Sequence, residues 1–419
     1  MMGDLLESDR RGGQSRRGFL GSVAGGSLAV AVAPAGGAFA GGHERIRVGL
    51  IGCGGRGTGA ALQAVAADPA VRIVALGDLF ADQVSSAAHE IARDAAAQFD
   101  CPPDRRFVGE RAYLDVLAAG VDLVLLAAPP HVRPLHVTAA VSAGKHIYCE
   151  KPAAIDLPGA HAVAAACAAA RQQKLSVMSG LCFRRDEATR SLVERVRDGA
   201  IGRVSAVHVH AALGLPWRKP AFIGCSNAEW QSRNWISFRR FSGGHFLEHH
   251  IHAIDRALWA LGDDCPMAAF PAVEPEAFAA GHDGSRAGWE IGDCGGPVAA
   301  RYAFADGREL HASCHRRLGA SHLLETAVGT AGRCDLVRVA AGIRPSSVGM
   351  YQATINALVR SVRSESPVDD GVTLCRVTLV AIMGRMAAES GRPVRWDDVV
   401  RRGLPASPAG TIHSDMIAV

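Results

Sequence analysis

Aromatic residues make up only 5% of this 419-residue chain, which leaves few platforms for stacking the bases of a single-stranded nucleic acid. The formal charge of +4 is small and evenly spread, so no basic face for a phosphate backbone is indicated. Eleven cysteines are present without the paired CxxC spacing of a zinc module, and they read as small buried apolar residues. Internal repeats are lacking, and after the first forty residues no stretch reads as a membrane segment. A nucleic-acid partner, a zinc scaffold and a membrane partner for the mature chain are thereby set aside.

What is present is ordinary for a globular enzyme: 48% hydrophobic and 21% charged residues. The first forty residues are a different matter. Ser15-Arg16-Arg17-Gly18-Phe19-Leu20 is a twin-arginine export motif, followed by a mildly apolar run to Ala33 and a small-residue cleavage site at Ala38-Phe39-Ala40. That run is too short and too rich in glycine to span a bilayer. Residues 1–40 are therefore expected to be a signal peptide, with an exported, periplasmic product starting near Gly41; the competing reading is a basic, disordered tail. The remaining length of about 380 residues suits two domains.

Forty-seven glycines make any single glycine pattern weak evidence, but one of them has the right setting. Arg47 to Gly57 reads RVGLIGCGGRG: an apolar strand, a glycine turn, then a small-residue helix from Thr58 to Ala67. In that geometry Gly52 makes the tight turn, Gly54 and Gly55 let the backbone approach a pyrophosphate, and Gly57 lets helix pack on strand, with Arg56 in the same loop. The helix N-terminus then faces the phosphates. A second strand, Val71 to Leu76, ends at Asp78, roughly 20 residues after the loop, where a carboxylate accepts from both ribose hydroxyls. This favours NAD over NADP, although Asp78 could also simply cap a turn.

Further strands are expected at Val121 to Ala127, His146 to Cys149 and Leu175 to Ser179, with helices at Pro134 to Ala143 and Pro158 to Gln173. The result is a doubly wound α/β domain over residues 44–181. Pro129-Pro130 and Glu150-Lys151-Pro152 then fall at the carboxyl edge, where ligands bind. After Arg190 the pattern changes to an α+β domain, residues 182–404, with a large open antiparallel or mixed sheet; 405–419 form a tail. An open sheet of that size predicts a homodimer or homotetramer through its uncovered face.

Four segments together resemble the Gfo/Idh/MocA oxidoreductases, the glucose-fructose oxidoreductase and inositol dehydrogenase family. They are Arg47 to Gly57, AAPPHVRPLHVTAAVSAGKHIYCEKP at Ala127 to Pro152, SGGHFLEHHIHAID at Ser242 to Asp255, and Ala381 to Trp396. The resemblance places Lys151 beside the nicotinamide and the substrate hydroxyl. It places the second catalytic cluster at Glu248 and His252, where the family commonly has aspartate and histidine; glutamate is one methylene longer. A spacing of four puts both over one helical patch, a carboxylate to anchor a hydroxyl and an imidazole to take its proton. Pro129, His131, His136 and Glu150 fall on the nicotinamide side, and Arg184, Arg233, Asn234 and Trp235 on substrate-facing loops. The arginines equally suit a domain interface, and His136 an ordinary helix start. His245-Phe246-Leu247-Glu248-His249 also spells HxxEH, so His245 and His249 are candidate zinc ligands; local hydrogen bonding is the other reading. The function implied is oxidation of a sugar or cyclitol hydroxyl with tightly bound NAD. Two alternatives stay open: a redox-neutral NAD-dependent glycosidase and a non-catalytic sensor.

Overall fold

The computed structural model describes residues 45–276, 292–294, 296–317, 321–337 and 347–401. The twin-arginine motif, the Ala38-Phe39-Ala40 site and the tail from Pro405 lie outside the described residues.

Strands β1 (Ile46–Ile51), β2 (Val71–Asp78), β3 (Arg106–Val108), β4 (Leu123–Leu126), β5 (His146–Cys149) and β6 (Val177–Ser179) form one sheet in the order β3-β2-β1-β4-β5-β6. All neighbours are parallel. Helices cover both faces, so Val48, Leu50, Leu123 and Leu125 have no exposed surface. The chain runs outward from β1 through β2 to β3, then returns to β4 on the other side. That reversal leaves a crevice at the carboxyl ends of β1 and β4, the expected ligand site of such a sheet.

The second sheet contains β7 (Val204–Leu213), β8 (Ala268–Pro271), β9 (Val298–Ala303), β10 (Glu309–Arg316), β11 (His322–Gly329), β12 (Gly332–Asp335) and β13 (Val394–Arg395). Its order is β12-β11-β7-β10-β9-β8-β13. The sheet is mixed, because β7 and β10 run parallel while their other neighbours are antiparallel. Parallel pairing needs a long crossover, and here that crossover carries the helices that reach the first domain. Val207, Val209 and Ala211 on β7, with Leu310, Ala312 and Cys314 on β10, are buried. His208, His210 and His311 alternate with them, and the rings of His208 and His311 stack 4.7 Å apart.

A division after residue 181 does not hold along the whole chain. Helix Ser347–Arg363 packs on Gly55–Ala67, and its Ile355, Leu358, Val359 and Val362 share one buried cluster with Val48, Leu50, Ala60 and Ala64. Val177 of β6 donates its N–H to the Val368 carbonyl, and its own carbonyl accepts from Asp370 N–H, both at 2.8 Å. The first domain is thus completed by residues near the end of the second. Helix Gly371–Ser390, whose most apolar 18-residue window has a mean hydropathy of 1.4, is long and apolar enough to cross a membrane by length and composition. It packs against helix Leu157–Gln172 and strands β8 and β9, and 67% of its apolar window is buried within the molecule.

Candidate active site

The glycine loop has the shape a pyrophosphate requires. Gly52 sits at φ +95°, and a Cβ there would meet the Ala128 nitrogen at 2.4 Å, so the loop lies directly against the end of β4. A Cβ on Gly57 would meet the Gly52 carbonyl oxygen at 1.9 Å, which fixes the close packing of helix on turn. Around Gly55 a Cβ would meet nothing within 4 Å, and around Gly54 only the far end of Gln83 at 3.9 Å. Helix Gly55–Ala67 starts at Gly54 with no side-chain cap, so this open concavity and the amides above it fit a dinucleotide phosphate. Asp78 ends β2 beside the loop. Its Oδ2 accepts from Cys53 N–H at 2.7 Å and its Oδ1 from Phe80 N–H at 3.0 Å, leaving each oxygen a further lone pair for a ribose hydroxyl. Burial raises its pKa, opposed by those two bonds.

Arg56 reaches from the loop to the other motif. Its Nε lies 3.6 Å from the Glu150 carboxylate, and its guanidinium sits 4.2 Å from the centre of the Tyr351 ring. Glu150 also accepts from the Tyr148 hydroxyl at 2.7 Å and from Lys151 N–H at 3.2 Å. Arg56 and Glu150 therefore brace the turn that presents Lys151, and the Lys151–Pro152 peptide is cis. The Lys151 ammonium donates to Glu248 Oε1 at 2.7 Å and to the Glu248 backbone carbonyl.

The Gly244 to Asp255 segment is two short helices rather than one. Gly243 and Gly244, both at positive φ, turn the chain into His245–Glu248, and a break at His249 and His250 precedes Ile251–Ala260. Lys151 is the common neighbour of Glu248 and His252: it bonds the carboxylate directly, and its charge acts on the imidazole. Burial, then the charges of Lys151 and Arg256, hold His252 well below its ordinary pKa, so the ring is neutral. Burial raises Glu248, and Lys151 opposes that shift. Glu248 Oε2 and His252 Nδ1 are buried without a partner.

The HxxEH histidines diverge. His245 Nε2–H donates to the Cys314 carbonyl at 3.2 Å, His250 Nε2–H to the Val209 carbonyl at 3.1 Å, and His249 Nδ1 accepts from Arg316 at 2.7 Å. Among the described residues no group of three or more histidine, cysteine or acidic side chains is placed to share a metal ion.

The substrate-side candidates each find partners within the protein, and for the arginines these fit the domain-interface alternative. Arg184 donates to Asp255 at 2.7 Å and to Asp263 at 3.2 and 2.7 Å, beside the Trp259 ring, which makes it a half-buried tie. Asn234 is 1% exposed and holds the backbone of Lys219. Arg233 pairs with Asp82 of the first domain, at 2.9 and 3.0 Å. Trp235 meets Trp217 edge to face at 6.3 Å. On the nicotinamide side, Pro129 begins the turn after β4, its carbonyl accepting from Val132 N–H at 3.3 Å. His131 crosses to Phe241 with ring centres 4.9 Å apart, while His136 stacks on Tyr113 at 4.6 Å inside the first domain and serves packing. Desolvation lowers them to about 4 and about 3 respectively.

Two arginines that hold the site were not singled out from sequence. Buried Arg133 donates to the Pro152 carbonyl and, at 2.7 Å, to the Ala128 carbonyl, joining the β4 and β5 turns. Arg385 donates to the Gly243 carbonyl at 2.6 Å and to the Ile155 carbonyl at 2.9 Å, joining the segments that carry Glu248 and Lys151. The position of Arg385 within the family-like segment Ala381 to Trp396 was the available signal.

Residues 46–180 match the model described as "Oxidoreductase family, NAD-binding Rossmann fold", GFO_IDH_MocA. An inositol 2-dehydrogenase of Rhizobium meliloti is 28% identical over 221 residues, 52% of this chain and 56% of that one. A 2,7-anhydro-N-acetylneuraminate hydratase of Escherichia coli is 26% identical over 152 residues, 36% of this chain and 37% of that one. The chain thus spans between about a third and somewhat over half of these curated relatives. The scyllo-inositol dehydrogenase of Lactobacillus casei, solved with NAD(H) and scyllo-inositol, superposes with a TM-score of 0.63 at 20% identity, covering 84% of this chain and 99% of that one, and so shares the fold. Residues 46–180, which contain both the glycine loop and the Glu150-Lys151-Pro152 turn, are thus similar to the NAD-binding Rossmann domain of the Gfo/Idh/MocA oxidoreductases.

Proposed function

We propose that this protein is an NAD-dependent oxidoreductase acting on a hydroxyl-bearing carbon of a sugar, sugar derivative or cyclitol. The observation that carries the reading is the Lys151–Glu248 contact at 2.7 Å beside a neutral His252, at the carboxyl edge of the first sheet. When bound in the glycine-loop crevice, the dinucleotide supplies the hydride acceptor. The protein's residues do the rest. Lys151 hydrogen-bonds the substrate oxygen and stabilises charge on it as the carbonyl forms. His252, deprotonated at neutral pH, accepts the hydroxyl proton. Glu248, with Oε2 unpartnered, anchors a neighbouring hydroxyl. Asp78 favours NAD, because a 2′-phosphate would meet its charge.

The twin-arginine leader supports export, and free NAD is scarce outside the cytoplasm. The dinucleotide is therefore held tightly and returned to its starting state within each cycle, either by a second carbonyl substrate or by re-reducing the same sugar after elimination and hydration. The two relatives named as hydratases speak for that second course. Assembly as a homodimer or homotetramer through the second sheet accompanies this reading.

The test is mass spectrometry and absorbance of gently purified protein, followed by incubation with inositols, aldose pairs and aryl glycosides. Bound NAD(H) with paired oxidised and reduced products supports the oxidoreductase. Aglycone release without net redox product selects the elimination course. A protein that neither holds nor binds NAD(H) overturns both.

A further inference from the structure

Residues 214–233 leave the end of β7 and reach the first domain at a place far from Lys151 in function: the helix that follows Asp78. Arg233 makes the connection. Its two terminal nitrogens hold the Asp82 carboxylate, its Nε donates to Glu229 at 2.8 Å, and its guanidinium lies 4.0 Å from the centre of the Phe80 ring and 5.3 Å from that of Phe222. The approach to this arginine is equally fixed. Asn234 accepts from Lys219 N–H at 2.7 Å and donates to the Lys219 carbonyl at 3.1 Å, while Trp230 Nε1–H donates to the same carbonyl at 3.2 Å. Lys219 is thereby held where its charge acts on Asp78.

The landing point is what gives this strap a meaning beyond joining domains. Asp78 is the carboxylate placed for the adenosine ribose. Leu79, next in the chain, leaves 40% of its surface exposed, an apolar face at the position where a base would lie. Phe80 and Asp82, just beyond, are the residues Arg233 grips. We propose that the 214–233 strap is the outer wall of the adenosine half of the dinucleotide site, and that the Arg233–Asp82 pair sets how long the dinucleotide stays bound. This rests on the NAD-dependent reading given above. A bidentate arginine–carboxylate pair with ring stacking is geometrically specific, and opening it frees one side of the base.

The experiment is the release rate of NADH, followed by loss of its bound fluorescence on chasing with excess NAD, in the full-length protein and in Arg233→Ala, Asp82→Asn and the charge-swapped pair Arg233→Asp/Asp82→Arg. Single variants are expected to release NADH about tenfold faster, and the swapped pair to recover most of the difference. Binding of reduced nicotinamide mononucleotide, which lacks the adenosine half, should not change. Asp82 is exposed, so Asp82→Asn keeps the test available if Arg233→Ala unfolds. Unchanged NADH release in both single variants, or an equal loss for the mononucleotide, overturns the strap while leaving the function reading intact. A wild-type protein that binds no NADH overturns the two together.

Discussion

The carboxyl edge of the first sheet and the helical layer of the second domain use polar side chains differently. Along the edge, groups are left incomplete: no side chain caps the helix after Gly54, and Glu248 Oε2 and His252 Nδ1 have no partner. A few residues away, charged groups hold one another, although Asp255 Oδ2 and Arg256 Nη1 also lack a partner. Arg256 lies against Glu325 at 2.7 and 2.5 Å with the Phe183 ring at 4.0 Å, Arg184 against Asp255 and Asp263, and Arg316 against His249. Phe183 in turn meets His252 edge to face at 5.3 Å, so the ion-paired layer shapes the surroundings of the imidazole. Neither residue type nor a missing partner alone marks function here; what sets the edge apart is that its incomplete groups, Glu248 and His252, share Lys151 as a neighbour.

The broadest way to break this contrast is acid. Desolvation lowers His131, His210 and His245 to about 4 and His136 and His250 to about 3. Each resists protonation when folded and accepts it freely when unfolded. Its contribution is therefore complete above the ordinary histidine pKa and is lost as pH falls from about 6.5 toward the folded value. One pH unit below 6.5 that is about 1.4 kcal/mol for each fully depressed histidine, several kcal/mol for the set. Thermal melts from pH 7.5 to 5 should show a steep fall in Tm; a flat profile means these rings are not buried neutral.

Replacing Lys151 with alanine is expected to lower kcat/KM about 10³-fold, about 4 kcal/mol, while bound NAD is retained. Steady-state kinetics beside dinucleotide stoichiometry separates this from a folding defect. Arg184→Met leaves Asp255 buried without its cation and should cost about 3 kcal/mol of stability. Its KM for substrate should not move, since the arginine is a tie; a raised KM with unchanged Tm would restore it to the substrate wall. The smallest effect belongs to Arg385→Met, which loosens the turns rather than the reacting groups. About tenfold in kcat at unchanged NADH affinity is expected, read by the same kinetics.

The first-domain edge was legible because its chemistry is local: the loop Gly52 to Gly57 and the Glu150-Lys151-Pro152 turn each carry their meaning within a few residues. Partners of Arg184 and Arg233 were not, since Asp255, Asp263 and Asp82 lie 71, 79 and 151 positions away and no periodic pattern links them. Strand β3 is three residues long and too short to show alternation. The spacing of Glu248 and His252 suggested one helix, but Gly243 and Gly244 and the bends at His249 and His250 make two. Their convergence on Lys151 survives the break because Arg385 fixes both turns from the far end of the chain.

The return of helix Ser347–Arg363 to the first sheet has a consequence for synthesis. A ribosome that has released residues 45–181 has produced all six strands of the dinucleotide domain, yet the face formed by Ala60, Ala64 and their neighbours still waits for Leu358 and Val359. The domain cannot close its core until nearly the whole polypeptide has emerged. Capture of a nucleotide is then an event of the finished chain, and a fragment ending at residue 181 should aggregate more readily and bind NAD more weakly than the full-length chain.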